Sequence, residues 1–432
     1  MSLREEAVEL TRALIRLDTS NPPGRETIAA KLLADHLAEA GIESELVGPD
    51  PDRLNLVARI AGSGSGPSIL LMAHTDVVPA PDSDWTLPPF GAEIRDGRVV
   101  GRGAADMKGE LAARVAAFAE LGRRGVVPAG DVVLIAEADE ERNTADVGMS
   151  WLVREREDLR CDCALNEGGG MLLELADGRR MVTISIGEKQ VTSLRLRFFG
   201  RAGHASVPAG ADNVLGRAAN AVRALIDYQA PTTLIPSIAR ALTGIGAPPG
   251  DDDEAVGWAA AQHPVLAGLF PAMTRMTVTP TGLQTHEPAN VIPPYADVIC
   301  DCRALPGQTR DDIEEHVARA VGTDVSYELE LLEPIEGGTE SATDTPLYRI
   351  CEEYVAERLP GATLLPVVTP GFTDSHWVRQ AHGTDAYGFA PVFSTPLPVY
   401  LDGVHGADEA IDIDDLAEMA EFNLHAITSL GA

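Results

Sequence analysis

The chain has 432 residues, too many for one ordinary hydrophobic core, so two domains are expected. A formal charge of −32 leaves no basic face to neutralise phosphates, which argues against a nucleic-acid partner. No apolar run is long enough to span a bilayer, and Arg4, Glu5 and Glu6 stand where a signal peptide would need an apolar core, so a cytoplasmic protein with no membrane partner is expected.

Five cysteines, an odd number, suit a reducing compartment better than a disulfide framework. Cys161/Cys163 and Cys300/Cys302 are C-x-C pairs in strand-like segments, each pair expected to point to one face as packed thiols.

In chain order, Ser2 and Glu5 make a capping box, after which Leu3, Ala7, Leu10, Leu14 and Leu17 line one helical face. Residues 19–24 break that helix, and a second runs over 26–40 and closes at Gly41. Segments 54–60 and 68–73 read as strands, the latter followed at once by His74-Thr75-Asp76. Five apolar residues, 69–73, predict a short strand buried on both faces. Asp96-Gly97 marks a hairpin, 109–121 an Ala-rich helix, 131–138 a strand, 150–156 a helix and 163–166 another short strand. Alternating strands and helices predict an α/β domain with a mixed, largely parallel sheet flanked by helices.

Near Gly187 the pattern changes. Strand 191–199, helix 212–228, strands 275–283 and 297–303, a helix capped by Thr309 and Asp312, and strand 325–332 give the order β-α-β-β-α-β, the ferredoxin-like plan. Segment 231–271 is read as an insertion within it. Helices from 346 and over 412–430 return the chain to the first domain. The expected domains are therefore 1–187 and 334–432, the two parts of a catalytic domain, with 188–333 inserted as a lid or dimerisation domain.

Three strands of the first domain end alike. One ends at His74 and Asp76, one at Asp139-Glu140-Glu141 and one at Glu167. Ligands gather beyond the carboxyl ends of strands in open α/β sheets. Asp106 lies in the glycine-punctuated loop 101–109, just before a helix, and His405 sits in a tight loop, 402–409. His74, Asp106, Glu141, Glu167 and His405 thus form a set of two imidazoles and three carboxylates, donors that zinc accepts. Five such ligands suit two ions about 3.5–4 Å apart sharing one carboxylate. Asp106 is the bridging candidate. Asp76 is expected to accept a hydrogen bond from the second nitrogen of His74 and so fix its tautomer. Glu140, beside a ligand, is placed as a general base. No G-x-S-x-G elbow, phosphate loop or G-x-G-x-x-G after a strand is present, which lowers serine-hydrolase, phosphate-loop and dinucleotide readings.

Together, His74-Thr75-Asp76, the run from Gly103 to Gly109, Asp139-Glu140-Glu141, Asn166-Glu167-Gly168, Gly203-His204-Ala205 and His405-Gly406-Ala407-Asp408-Glu409 resemble the motifs of a dinuclear zinc hydrolase family. Its members include aminoacylase, carboxypeptidase G, acetylornithine deacetylase and succinyl-diaminopimelate desuccinylase. The resemblance implies a zinc-exopeptidase-like catalytic domain and two Zn2+ per subunit, with Co2+ or Mn2+ as substitutes. His74 and Glu167 would hold one ion, Glu141 and His405 the other, and Asp106 both. A water bridging the ions would attack an amide carbonyl next to a free carboxylate, and Glu140 would carry the proton to the leaving amine.

The family also implies a homodimer in which His204 stabilises the oxyanion in the partner's site, Asn290 and Arg303 hold the substrate carboxylate, and Gly371 and Thr373 line the pocket. The chain length and the 231–271 insertion resemble the aminoacylase and carboxypeptidase-S branch more than the compact desuccinylases, a resemblance that implies N-acyl amino acids first as substrates and dipeptides second. A catalytically silent binder of amino-acid derivatives and a phosphoesterase are the rivals. His36, His316, His425 and His263 are read as structural. His286 and His382 are given no role, and His376 is expected nearest the pocket.

Overall fold

The computed structural model describes residues 1–285 and 287–431, so His286, Ala432 and the side chain of Asp82 lie outside the described residues. The chain divides into two compact units, one of residues 1–187, 341–367 and 373–432, the other of residues 188–340 and 368–372.

The first unit is built on a mixed sheet with strand order Ser44–Val47, Asn55–Ile60, Val132–Glu137, Ile69–His74, Cys163–Asn166, Asp385–Gly388, Arg180–Glu188 and Ala362–Thr369. The four strands from Val132–Glu137 to Asp385–Gly388 run parallel, so their carboxyl ends share one edge. Every residue of Ile69–His74 and Val132–Glu137 is buried, as unbroken apolar runs require in a sheet covered on both faces. On one face Leu71, Ala73, Leu134 and Leu165 pack with Leu33, Leu111, Phe118 and Phe422 of the helices Thr27–Glu39, Lys108–Arg124 and Ile413–Ser429. On the other, Leu70, Met72, Val133 and Ala164 meet Leu152 and Val378 of the helices Met149–Glu155 and Ser375–His382. The capping box of Ser2 and Glu5 forms as expected.

The second unit has a four-stranded antiparallel sheet, order Thr277–Gln284, Tyr295–Ala304, Gln190–Phe199 and Tyr327–Leu331. With helices Leu215–Asp227 and Arg310–Val321 this is the ferredoxin-like order. The segment read as an insertion carries three helices, Pro236–Gly244, Asp252–Ala260 and Pro264–Thr274. Among the described residues no helix is long and apolar enough to cross a membrane.

One detail corrects the sequence reading. Cys163 packs with Ile69 and Leu71, whereas Cys161, which precedes the strand, packs with Leu70 and Met72 on the opposite face. The alternation that would align them applies only inside a strand. Cys300 and Cys302 do share a face. All five thiols are free and buried, and burial pushes Cys161 up to about 11 and Cys300 and Cys302 up to about 12. The native protein should therefore show no fast reaction with a colorimetric thiol reagent at pH 8, and five thiols should react once it is unfolded in guanidinium. Rapid labelling of even one thiol in the native state would contradict this packing.

Candidate metal centre

The shared carboxyl edge of the parallel strands gathers the residues singled out from the sequence. His74 closes its strand, and its Nδ1 donates to the backbone carbonyl of Asp76 at 2.9 Å. That bond fixes the tautomer and turns the Nε2 lone pair toward the cluster. Nε2 lies 3.1 Å from Asp106 Oδ1, 3.8 Å from Glu167 Oε2 and 4.0 Å from Glu140 Oε2. The other oxygen of Asp106 lies 3.1 Å from His405 Nε2, which is 3.1 Å from Glu141 Oε2. Two sets result, His74–Asp106–Glu167 and Asp106–Glu141–His405, each with its donor atoms within 4.8 Å of one another and with Asp106 common to both.

The electrostatics follow from this crowding. Burial opposes a charge on His74, but the Asp106 and Glu167 carboxylates overcome it and hold the ring well above its ordinary pKa. Hydrogen bonds to Asp106 and Glu141 raise His405 to about 10. Burial would lift Asp106, yet the two imidazoles hold it below the usual carboxylate range. Glu140 is driven well above that range by burial and by the neighbouring Glu167.

Asp76 acts differently from the expectation. Its carboxylate stands 3.6 Å from His74 Nδ1, because the backbone carbonyl already takes that proton. The carboxylate instead accepts from the backbone N–H groups of Glu140 and Glu141, both at 3.2 Å, and from Asn21 Nδ2 at 2.9 Å. It therefore fixes the turn carrying Glu140 and Glu141.

Three supporting residues were not assigned a role from the sequence. Glu409, fully buried, accepts from Arg102 Nη1 at 2.6 Å and from the N–H groups of Gly103, Ala105 and Asp106 at 2.9, 2.7 and 2.9 Å. It closes the loop that presents Asp106. Asp139 accepts from Asn21 at 2.8 Å, Arg53 at 3.0 Å, and the N–H groups of Thr144 and Ala145. Asp374, beside Thr373, is buried and raised well above its usual range by burial and by Glu137. Its loop is tied to the Glu167 strand by Asn166 Nδ2 donating to Ser375 Oγ at 3.1 Å. Glycine is required at Gly109, where a Cβ would lie 2.3 Å from the Ala104 carbonyl oxygen, and at Gly406, where one would lie 2.0 Å from that of Asp402.

His376, expected nearest the pocket, is buried in the helix Ser375–His382 with its ring on Trp377. His36 pairs with Glu6, His263 caps its helix, and His316 is buried edge-on to Tyr228, while His425 packs beside Tyr354. His382 is the last residue of the helix Ser375–His382.

In the second unit, taken by itself, His204 pairs with Val291 on a short ladder, and Asn290 accepts from the N–H of Ala205 at 2.9 Å. The exposed His204 ring receives the Ser206 N–H at Nδ1, 3.2 Å, which leaves Nε2 as the protonated nitrogen. Arg303 lies at the other end of Tyr295–Ala304, about 25 Å from the 290 hairpin at the usual rise per strand residue. Its guanidinium is taken by Asp301, with contacts of 2.9 and 3.0 Å. Gly371 belongs to this unit and Thr373 to the first.

The family model described as Peptidase family M20/M25/M40 matches residues 70–429. Human N-fatty-acyl-amino acid synthase/hydrolase PM20D1 is 27% identical over 380 residues, 83% of this chain and 74% of that protein. Succinyl-diaminopimelate desuccinylase of Methylobacterium radiotolerans is 27% identical over 426 residues, 96% of this chain and 94% of that one. Among solved structures, the M20 family metallo-carboxypeptidase Sso-CP2 from Sulfolobus solfataricus matches with a TM-score of 0.73 at 19% identity, covering 99% of both chains. The Bacillus subtilis YXEP protein, described as a dinuclear metal binding peptidase from the M20 family, matches with a TM-score of 0.63 at 16% identity over 98% of both. At these identities the structural matches speak to the fold.

Replacing Glu409 with alanine leaves buried Arg102 without its carboxylate and three loop N–H groups without their acceptor. Stability should fall by roughly 3–5 kcal/mol, the scale of a broken buried ion pair. Urea unfolding of the metal-free protein measures it, and a loss below 1 kcal/mol would remove Glu409 as the clamp of the Asp106 loop.

Proposed function

We infer that this chain, which belongs to peptidase family M20/M25/M40, is a metal-dependent hydrolase of an amide bond next to a free carboxylate, with N-acyl amino acids as its substrates. The observation that carries the reading is the pair of ligand sets sharing Asp106. Their chemistry fits two divalent ions, with an imidazole and a carboxylate for each and one carboxylate between them. His74 and Glu167 would hold one ion, Glu141 and His405 the other, and Asp106 both. Bound ions supply Lewis acidity, polarising the scissile carbonyl and making a water acidic enough to attack it. Zinc is the proposed metal, with cobalt or manganese as substitutes.

Glu140 takes the proton of the attacking water at its carboxylate and delivers it to the amide nitrogen as the C–N bond breaks. Its place beside the first ligand set, 4.0 Å from His74 Nε2 and a member of neither set, supports that role. His204 is assigned the oxyanion contact in a homodimer. The support is its exposed Nε2–H, the donor an oxyanion needs. Asn290 is assigned to the substrate carboxylate, and Gly371 and Thr373 to the pocket lining; Arg303, paired with Asp301 and about 25 Å from the 290 hairpin, cannot hold the same carboxylate within one chain. Both named relatives are described by acyl groups on amino acids, which favours an acylated substrate over a dipeptide. Free buried thiols suit a cytoplasmic location.

Amine release from matched N-acyl amino acids and dipeptides tests the substrate class. Turnover of the acylated set, abolished by a chelator and restored by zinc, is expected, whereas a preference for dipeptides would make the protein a peptidase. Glu140→Ala should bind two equivalents of metal and lose kcat by a factor on the order of 10²–10⁴, the level general bases supply. Retained turnover in that variant would sink the assignment of the base.

A further inference from the structure

The helix Lys108–Arg124 begins two residues after Asp106 and carries a buried ion pair, Glu110–Arg114, at 3.1 Å. Arg114 is 1% exposed. Its Nη1 donates to the carbonyl oxygen of Met72 at 2.6 Å, and its Nη2 donates to that of Asn166 at 2.9 Å. Met72 stands two residues before His74, and Asn166 one before Glu167.

The position of these two carbonyls matters. The parallel ladder between the His74 and Glu167 strands runs from Ile69↔Cys163 to Leu71↔Leu165 and goes no further. Met72 and Asn166 are the next residues along, where the strands part. Arg114 spans that opening, taking the Met72 carbonyl and sharing that of Asn166 with the Phe389 N–H, so a side chain ties the two strands where their own ladder ends. A planar fork of donors at fixed spacing can hold two carbonyls at once, which a lysine ammonium on a flexible stem does poorly. Glu110, one turn earlier on the same helix, holds the fork in place.

The second ligand set is anchored otherwise. Glu141 is held through the Asp76 carboxylate and the Val78 N–H, and Asp106 through Glu409. Only His74 and Glu167 depend on the separation that Arg114 sets.

We propose that Arg114, braced by Glu110, is a positioning residue that sets the affinity of the His74–Asp106–Glu167 position for its divalent ion and leaves the Asp106–Glu141–His405 position unaffected. The proposal rests on the dinuclear reading above. Residues that orient metal ligands change affinity by about 10- to 100-fold when replaced.

The test is a cobalt(II) titration of the chelator-stripped full-length protein, followed by calorimetry and by visible absorption. Wild type, Arg114→Met, the charge-free pair Glu110→Gln/Arg114→Met, and Arg114→Lys are compared. Wild type should take up two equivalents. In Arg114→Met and in the double variant one equivalent should weaken by about 10- to 100-fold with an altered absorption band, and the other should stay within twofold. The double variant leaves no unpaired buried charge, so it reports on the tie even if the single one does not fold. Arg114→Lys keeps the charge beside Glu110 but loses the two-carbonyl span, and it carries the test if both apolar variants lose their fold.

A purely structural role would lower the melting temperature of the metal-free protein and leave the ratio of the two affinities unchanged, which would overturn the proposal. Equal weakening of both equivalents would overturn it too. Uptake of fewer than two equivalents by the wild type would instead remove the dinuclear reading, and this inference with it.

Discussion

The carboxylate of Asp106, with one oxygen 3.1 Å from each of two imidazoles, is the contact on which the centre depends. Around it stand Glu140, Glu141 and Glu167. Two carboxylates 4 Å apart repel by about 4 kcal/mol at the effective dielectric of such sites. A fold gains nothing in stability from collecting four of them at one sheet edge. Held together, they make sense as a place for cations. The imidazoles supply part of that positive charge in the metal-free chain, which is why both are drawn toward protonation.

Crowding of this kind demands rigid supports, and they are themselves charged. Glu409, Asp76 and Asp139 each spend a buried carboxylate on backbone N–H groups of the loops that bear the ligands. Buried ionic groups of this sort contribute little net stability compared with well-packed apolar ones. Their return is geometric. Each fixes a turn that an apolar side chain could fill but not orient, since only a hydrogen bond carries direction.

The sequence was most legible where chemistry and local pattern coincide. Five apolar residues ending in His74 read as a strand because nothing else so short is buried on both faces. The order of the 188–333 segment was readable for the same reason, each element carrying its own period or cap. Arg180–Glu188 and Ala362–Thr369 are strands that the sequence does not announce although both are rich in β-branched residues, because without their sheet neighbours such runs have no period that marks them. Glu409 and Arg114 were beyond reach on other grounds. Glu409 acts on a loop more than 300 residues away, and Arg114 looks like one more helix charge until the carbonyls it meets are known. Asp76 stands in the expected neighbourhood but meets His74 through its carbonyl, since sequence spacing cannot tell a carboxylate from the carbonyl of the same residue.

The geometry of the sheet explains why these supports cluster where they do. Ligands at the carboxyl ends of parallel strands must stand apart far enough to receive an ion, so the strands have to part just before them. The ladder between 69–74 and 163–166 stops at Leu71↔Leu165, short of both ligands. From there the backbone no longer holds these two strands at a fixed spacing, although the Asn166 carbonyl still accepts from the N–H of Phe389 on its other side at 2.9 Å. Arg114 donates to the Met72 carbonyl and, as a second donor beside the Phe389 N–H, to that of Asn166, and so ties the two strands across the gap. The same logic applies at Thr75, whose N–H and hydroxyl both donate to the Glu137 carbonyl beyond the last ladder pair, His74↔Glu137. Where a sheet opens to make a site, its precision passes from backbone to side chains, and those side chains have to be sought behind the ligands.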